Sequence, residues 1–323
     1  SASEARRGPV KNGERERTVQ AAISRVHPIT GQVRKLQNGF PKRAALAAGL
    51  LTAAFSLASI TPAAAYVAFV SNEKGNTVSV IDTDTWTVTK TIKVGQRPRG
   101  ISFTRDGKFV MVAVGDDDTI QVIDAKKQEI VDTLPSGPDP ELFAQDAAGK
   151  TLYVANENDN TVTVIDLEKR IRIGDVQVGV EPEGMMLSPD GKILICTSET
   201  TNMAHFIDTA TRQRLATIKA GTRPFGVTID AEGKRAYTAN VASNDVSVID
   251  LAERREIGRV KTGLRPYAVA LAQGRGFVTD QYDGTVSVFD LASLQPLKRI
   301  NVGDYPEGIE ATADGRRIIV ANW

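Results

Sequence analysis

The sequence has few of the side chains that build redox and metal centres. Its one cysteine, Cys196, excludes an intrachain disulfide, haem attachment through C-x-x-C-H and a thiolate zinc site. Its two histidines, His27 and His205, are too few for a multi-histidine copper or zinc site. No set of nucleophile, base and orienting group is visible, and G-x-S-x-G is absent. We therefore expect no catalytic set, no metal and no cofactor.

The chain also lacks a charge imbalance. Its 40 basic and 39 acidic residues give a formal net charge of +1 over 323 residues. A strongly basic face is the usual footprint of a nucleic-acid-binding protein, so the composition gives no support to such a partner.

The first 65 residues differ from the rest of the chain. Residues 1–40 are rich in Arg and Glu without an apolar period, and we predict them to be disordered. Lys42-Arg43, the apolar run 44–60 and the small residues Ala63-Ala64-Ala65 are typical of a secretory signal peptide. We therefore assign a signal peptide to residues 41–65. The alternative is a membrane anchor, but the apolar run of 17 residues is short for a membrane span.

A signal peptide normally begins a protein, and here 40 residues precede it. We interpret residues 1–40 as a segment outside the native protein. The mature chain is then 66–323, exported to the periplasm and without a membrane span.

The mature chain is built on a repeat. The pattern V-x-V-[IF]-D or a looser copy ends at six aspartates spaced by 42, 42, 42, 42 and 40 residues: Asp82, Asp124, Asp166, Asp208, Asp250 and Asp290. Their periodicity places them at one position of successive units, far apart in space. We expect each of them to accept backbone N–H bonds in a turn and to have no chemical role. A fixed period near 40 is typical of stacked or ring-forming repeats.

One unit divides into four short strands. Residues 139–145, 151–156, 161–166 and 171–178 read as strands, and Ala148-Gly149-Lys150 reads as a hairpin turn. Four antiparallel strands in about 42 residues are typical of a β-propeller blade. The fold class is therefore predicted as all-β, a propeller of four-stranded blades.

Tyr153-Val-Ala-Asn156, Tyr237-Thr-Ala-Asn240 and Ile319-Val-Ala-Asn322, with V-x-V-I-D and V-G-x-x-P, resemble the YVTN β-propeller repeat family. The resemblance covers 66–323 and is closest to bacterial periplasmic propellers associated with pyrroloquinoline-quinone (PQQ)-dependent alcohol catabolism. It implies an accessory role with a quinoprotein dehydrogenase or its cytochrome as partner. The motif is specific for fold and weak for function, because function depends on sites carried by the fold.

The number of blades is not settled by the repeat. Five complete units begin at residues 97, 139, 181, 223 and 265, and a partial unit remains at each end. This order favours a C-terminally truncated seven-bladed ring. The alternative is six-bladed closure, in which residues 305–312 pair with residues 66–72.

The residues that flank each strand-opening proline are expected at one mouth of the central channel. The candidate ligand-binding residues are Arg97, Arg99, Asp139, Glu141, Glu181, Glu183, Arg223, Arg265, Tyr267 and Glu307. They form either a polar ligand site or a ring of mutual salt bridges. Two further side chains are assigned by repeat phase: His205 to a solvated strand position and Cys196 to a buried apolar one.

Two functions remain open at this point. The first is a non-catalytic binding module in PQQ-dependent alcohol catabolism. The second is a lactonase-like hydrolase that uses carboxylates and arginines at the channel mouth. A hydrolase needs a convergent acid–base group beside an open pocket, whereas a sealed ring of ion pairs favours the binding module.

Overall fold

The computed structural model describes Ala21–Arg25 and residues 66–322, and almost all of this part of the chain is β-strand or turn. The strands are β1 (Ala21–Arg25), β2 (Tyr66–Asn72), β3 (Thr77–Asp82), β4 (Thr87–Lys93), β5 (Pro98–Phe103), β6 (Phe109–Val114), β7 (Thr119–Asp124), β8 (Glu129–Pro135), β9 (Pro140–Gln145), β10 (Thr151–Asn156), β11 (Thr161–Asp166), β12 (Ile171–Gln177), β13 (Pro182–Leu187), β14 (Ile193–Ser198), β15 (Met203–Asp208), β16 (Arg214–Lys219), β17 (Pro224–Ile229), β18 (Arg235–Asn240), β19 (Asp245–Asp250), β20 (Arg255–Lys261), β21 (Pro266–Ala272), β22 (Arg275–Asp280), β23 (Thr285–Asp290), β24 (Pro296–Asn301), β25 (Pro306–Ala311) and β26 (Ile318–Asn322). Within these described ranges, one 3₁₀ turn covers Gly115–Asp117. No helix in the described ranges is long and apolar enough to cross a membrane.

The strands form six four-stranded antiparallel sheets and one two-stranded sheet. Blades 1 to 6 are β1–β4, β5–β8, β9–β12, β13–β16, β17–β20 and β21–β24, each in chain order from the inner to the outer strand. The two-stranded sheet β25–β26, here called the closing sheet, contacts blade 6 through β21 and blade 1 through β1. The predicted all-β propeller of four-stranded blades is confirmed.

The complete blades number six, the count of our alternative rather than of the preferred seven-bladed ring. The manner of closure is nevertheless not the one we expected for six blades. The inner partner of β2 is β1, with Ala21 opposite Val70 and Arg25 opposite Tyr66, whereas β25 pairs with β26. The predicted pairing of residues 305–312 with residues 66–72 is therefore wrong.

The strand β1 lies within the range 1–40 that we expected to be disordered. The remainder of that range and the expected signal peptide 41–65 lie outside the described residues.

The core lies between neighbouring blades. Every strand alternates side chains between its two faces, so each blade presents an apolar face to the next blade. Between blades 3 and 4, for example, Val162 and Val164 of β11 pack with Leu194 and Cys196 of β14. Full burial of one such side chain contributes about 1.5–3 kcal/mol, and the repeat multiplies this contact around the ring. Cys196 is buried as expected, and burial raises the pKa of its thiol.

The asparagine that ends the repeated Y-V-A-N segment bridges two strands of its blade. The Asn156 side chain donates to Thr161 Oγ1 and Thr163 Oγ1 at 3.2 and 2.7 Å. In blade 5, Asn240 donates to Asp245 Oδ1 and Ser247 Oγ at 2.8 and 3.0 Å. This asparagine is therefore a structural residue that joins the second strand to the third.

The aspartates at the ends of the third strands have the turn role predicted for them. The Asp166 carboxylate accepts the backbone N–H groups of Glu168 and Lys169 at 3.0 and 2.8 Å. Asp82, Asp124, Asp208, Asp250 and Asp290 each accept at least one such bond in their own turns. Hydrogen bonds to the charged form lower the pKa of a carboxyl group, and the bond from Lys169 N is the main cause of the lowered pKa of Asp166.

Candidate functional site

One face of the ring carries two sets of loops, which join second to third strands and fourth strands to the next blade's first strand. Because neighbouring strands are antiparallel, both sets must lie at the same end of the blades. We call this end the mouth face. The inner strands begin there, and β5, β9, β13, β17, β21 and β25 each begin with a proline.

The residue before each strand-opening proline adopts a left-handed backbone conformation. These residues are Arg97 (φ 58°), Asp139 (55°), Glu181 (57°), Arg223 (57°), Arg265 (56°) and Tyr305 (47°). The conformation costs a residue with a side chain about 1–2 kcal/mol. Hydrogen bonds to the preceding blade stabilise this conformation. Asn202 Oδ1 accepts a hydrogen bond from Arg223 N at 2.7 Å, and Asn244 Oδ1 accepts one from Arg265 N at 2.8 Å. The result is a fixed set of side chains around the channel entrance.

Arg97 is the centre of a network of acids, three of which belong to blade 3. Its Nη1 lies 2.7 Å from Asp139 Oδ1, and its Nη2 lies 2.6 Å from Glu141 Oε1 and 3.2 Å from Glu157 Oε2. Carboxylate oxygens of these three acids lie within 4.8 Å of one another, close enough for a metal ion. The guanidinium group already supplies a cation to all three of them.

Arg99 lies deeper and is buried against Glu141. Its Nε donates to Glu141 Oε2 at 2.5 Å, its Nη2 contacts the same oxygen, and Glu73 Oε2 lies 3.5 Å from its Nη1. Burial lowers the pKa of Arg99, but the field of Glu141 and other groups nearby raises it well above its usual value. Burial raises the pKa of the Glu141 carboxyl well above its usual value, although the charges of Arg99 and Arg97 act in the opposite direction.

Glu183 is the acid that this network leaves least satisfied. It is 3% exposed, and among the described residues its Oε2 atom has no hydrogen-bond partner. Arg99 Nη2 lies 4.0 Å from Glu183 Oε2. Burial, followed by the neighbouring charge of Glu141, raises the pKa of the Glu183 carboxyl well above its usual value.

The other half of the channel is apolar or only partly charged. The rings of Phe225 and Tyr267 stack with centroids 4.1 Å apart at 31°, and Leu142 packs against this pair. Glu307 accepts a hydrogen bond from Gln281 Nε2. These contacts bring together side chains from blades 3, 5 and 6 and the closing sheet.

The remaining predicted site residues lie further out on the mouth face. Glu181 accepts a hydrogen bond from Thr200, and Arg223 Nε lies 2.6 Å from Glu199 Oε1. Arg265 lies over the Tyr282 ring, with its Cζ 5.2 Å from the centroid.

The predicted residues thus split into a connected group and a scattered one. Arg97, Arg99, Asp139 and Glu141 are joined by ion pairs, and Glu183 lies beside them. Arg223, Arg265 and Glu307 instead contact residues that the sequence analysis did not select. Whether any of these residues binds a ligand stays a prediction.

Sequence reasoning missed Glu73, Glu157 and Glu199, which complete these ion pairs. Each of them directly follows a second strand, so the repeat phase could have selected them. Each lies in a turn that ends with an asparagine, and the turn chemistry of these segments accounted for their polar residues.

The innermost layer is closed to solvent. It consists of the second residue after each left-handed position, and the exposed fractions are Arg99 3%, Glu141 0%, Glu183 3%, Phe225 1%, Tyr267 0% and Glu307 0%. A substrate would have to displace an ion pair or an aromatic stack to reach these carboxylates. The arrangement therefore supports a rigid, charged mouth more readily than an open active site.

His205 differs from its prediction. It was assigned to a solvated position because its repeat equivalents are polar, but it is buried. Its Nε2 accepts from Gly179 N at 2.9 Å and its Nδ1 lies 3.1 Å from Thr217 Oγ1. In blade 5, Ser247 accepts from Gly221 N in the same way, so the polar position serves an inter-blade bond. Burial lowers the pKa of His205 to about 4, and the imidazole is therefore neutral at pH 7.

Comparison with known proteins agrees with the fold. Residues 36–144 match the model of a family described as YNCE-like beta-propeller. No curated protein matches the chain. Among solved structures, hydrazine synthase of Kuenenia stuttgartiensis is similar, with a TM-score of 0.73 over 80% of this chain and 89% of that chain. Its sequence is 20% identical, so this likeness shows the propeller fold alone. A repeat of the YVTN type agrees with both matches, whereas the closer likeness to PQQ-associated propellers stays a prediction.

Proposed function

We propose that this protein is a non-catalytic periplasmic β-propeller that serves as a binding module in PQQ-dependent alcohol catabolism. Its partner is a quinoprotein dehydrogenase or the cytochrome that accepts electrons from it. The propeller fold supports a binding role in general terms. The metabolic context rests on the resemblance of the repeat motifs, and the export rests on residues 42–65 of the sequence.

The observation that carries the non-catalytic role is the sealed inner layer of the channel. Glu141, the acid at its centre, is fully buried and bonded to two guanidinium groups, which removes it as a general base. A hydrolase of this type needs a group with a shifted pKa beside space for a substrate.

The test is recovery of partners by the tagged protein from the periplasm of cells grown on an alcohol. We expect specific recovery of a quinoprotein dehydrogenase or its cytochrome, and none of either from cells grown without the alcohol. Recovery of neither under both conditions would contradict the proposal. The export step has its own readout, since N-terminal sequencing of the periplasmic protein should begin at Tyr66.

One observation favours the alternative, a lactonase-like hydrolase. The Glu183 carboxyl is buried, has a raised pKa and has an oxygen without a hydrogen-bond partner among the described residues. A raised carboxyl pKa is a property of many general acids and bases. Lactone hydrolysis by the purified protein, abolished in Glu183→Gln and kept in Glu181→Gln, would establish this alternative. We expect no hydrolysis above the rate in buffer.

A further inference from the structure

The loops of the mouth face carry far more acids than bases, although the whole chain has a net charge near zero. The acids in these loops are Glu73, Asp116, Asp117, Asp118, Asp139, Glu157, Asp159, Glu181, Glu199, Asp283 and Asp304. The bases are Lys74, Arg97, Arg223 and Arg265. The imbalance is therefore eleven acids against four bases.

The opposite end of the blades is close to neutral. Its loops contain nine acids and thirteen bases, and the six aspartates that end the third strands bring the acids at that end to fifteen. The ring is therefore polarised, with its negative potential concentrated at the mouth. Loops of one charge sign around a low-dielectric channel focus the field of a protein and attract partners of the opposite sign.

The arginines of the mouth neutralise only part of its outer acids: Arg97 Nη1 lies 3.5 Å from Oδ1 of exposed Asp116. Arg97 is engaged with the buried carboxylates of Asp139 and Glu141, and Arg223 with buried Glu199. Among the described residues, no lysine or arginine lies within ion-pair distance of Asp117, Asp118, Asp159, Glu181 or Asp304. Of these, Asp117, Asp118 and Asp304 are exposed and the other two half-buried.

Across the mouth from these acids lies an exposed apolar patch. Leu264, Tyr282 and Tyr305 are 50%, 62% and 47% exposed, and the two tyrosine rings meet edge to face with centroids 6.3 Å apart. Aromatic residues with an arginine beside them are typical of the residues that contribute most to protein–protein binding. The acids of blades 2 and 3 and this patch beside the closing sheet lie on one face, at different positions around the channel.

We propose that the mouth face is a docking surface for a cationic protein, one whose own face carries lysines or arginines beside an apolar area. This deepens the proposed function and rests on it for the identity of the partner. The acids of the mouth face attract the basic side chains of the partner, which selects the class of partner and accelerates association. Tyr282 and Tyr305 provide apolar contact area from which water is excluded on binding. A small ligand is a poorer fit, because the inner layer of the channel is closed.

The test compares two variants that change the net charge equally. The rim variant combines Asp116→Asn, Asp117→Asn and Asp118→Asn. Asparagine is tolerated at position 118, because Asn160 and Asn202 hold the same left-handed conformation and accept the same inter-blade bond. The control variant combines Asp84→Asn, Glu168→Gln and Glu232→Gln, three exposed acids in loops of the opposite face. A third variant, Tyr282→Ala, tests the apolar patch.

Binding is measured by biolayer interferometry to the purified quinoprotein dehydrogenase, to its cytochrome and to commercial cytochrome c as a lysine-rich probe. We expect the rim variant to weaken binding about tenfold or more at low salt, and the control less than about twofold. Binding of the wild-type protein should weaken with rising NaCl concentration, and Tyr282→Ala should mainly accelerate dissociation.

Each outcome decides between the proposals. A complex with the dehydrogenase or its cytochrome that the rim and control variants weaken equally overturns the docking surface and leaves the proposed function intact. If the protein binds neither the dehydrogenase nor its cytochrome, the proposed function is overturned. The docking surface is then tested separately, by whether the rim variant binds cytochrome c more weakly than the control variant does. If deletion of residues 1–20, which contain five basic residues, strengthens probe binding tenfold, the chain's own segment is the occupant and the inference falls.

Discussion

At the scale of single residues, Glu141 and Glu183 occupy the same repeat position in neighbouring blades, and burial raises the pKa of both carboxyls, but their ion-pair partners differ. Glu141 accepts bonds from two guanidinium groups, whereas the Glu183 carboxylate lies 4.0 Å from the closest of them. Removing one partner of a buried pair is costly, whereas neutralising a poorly paired buried charge is favourable. The two glutamates should therefore respond oppositely to the same substitution.

Glu183→Gln is expected to stabilise the protein by about 1 kcal/mol at pH 7. The pKa of Glu183 is raised in the folded state, so its ionisation costs stability above the unfolded pKa of about 4.3. The gain should disappear as the pH falls to that value, where the carboxyl is neutral in both states. Urea unfolding at pH 7 and pH 4 measures both expectations, and equal gains at the two pH values would contradict the explanation.

Glu141→Gln is the matched change in the next blade. It leaves Arg97 and Arg99 with a neutral partner in a buried position, and we expect a loss of about 3 kcal/mol in the free energy of unfolding. The same urea titration gives the result. A loss below about 0.5 kcal/mol would mean that the other acids around Arg97 replace Glu141.

His205 makes the protein sensitive to acid. Its pKa falls to about 4 on folding, so the folded state resists protonation that the unfolded chain accepts below about pH 6.5. Stability should therefore fall by up to about 3 kcal/mol between pH 6.5 and pH 4 because of this residue. In His205→Gln that part of the loss should vanish, since Gln121 accepts the equivalent bond from Gly95 N in blade 2. Thermal unfolding of the wild-type protein and of His205→Gln across this pH range measures the difference. The same pH profile of stability in both proteins would contradict the role of His205.

At the scale of elements, the closing sheet leaves its neighbour partly uncovered. Ile92, Leu134, Val176, Ile218 and Val260 occupy one position of the outer strands and are each buried. Their equivalent in blade 6 is Ile300, which is 39% exposed because the next sheet has two strands instead of four. Among the described residues, the outer edge of β26 also pairs with no strand.

An open strand edge beside apolar surface promotes pairing between molecules. We expect the protein to self-associate in a concentration-dependent way and Val320→Lys in β26 to suppress it. The control is Val131→Lys, which changes an exposed valine of β8 in blade 2 and should leave association unchanged. Analytical ultracentrifugation of the three proteins decides, and a wild-type monomer at every concentration would refute the expectation.

At the scale of the whole molecule, the strand β1 and the expected signal peptide exclude each other in one mature chain. Cleavage after Ala65 removes Ala21–Arg25, which supply the inner strand of blade 1. The edge of β2 would then be unpaired, and β5 and β25 would lose their contacts with β1.

A chain that begins at Tyr66 is therefore expected to be less stable than the full chain. The five paired residues of β1 should be worth a few kcal/mol, so we expect the melting temperature to fall by roughly 5 °C or more. Differential scanning calorimetry of both chains measures this. An equal melting temperature would mean that another strand pairs with β2 when β1 is absent. Residues 305–312, which we expected to pair with residues 66–72 in a six-bladed ring, are the candidate for that strand.

The sequence by itself determined the blades. Each unit of about 42 residues carries its own alternation, turn glycine and turn aspartate, and the predicted strands 151–156 and 161–166 coincide with β10 and β11. Such features depend on neighbours a few residues away, so a single repeat is enough to read them.

Only the tertiary structure decided how the ring closes and what its channel contains. The pairing of β2 with β1, the acids gathered by Arg97 and the burial of His205 all depend on contacts between different blades or distant segments. A local pattern cannot specify these, because equivalent positions carry different residues in each blade and the ring alone determines which of them meet.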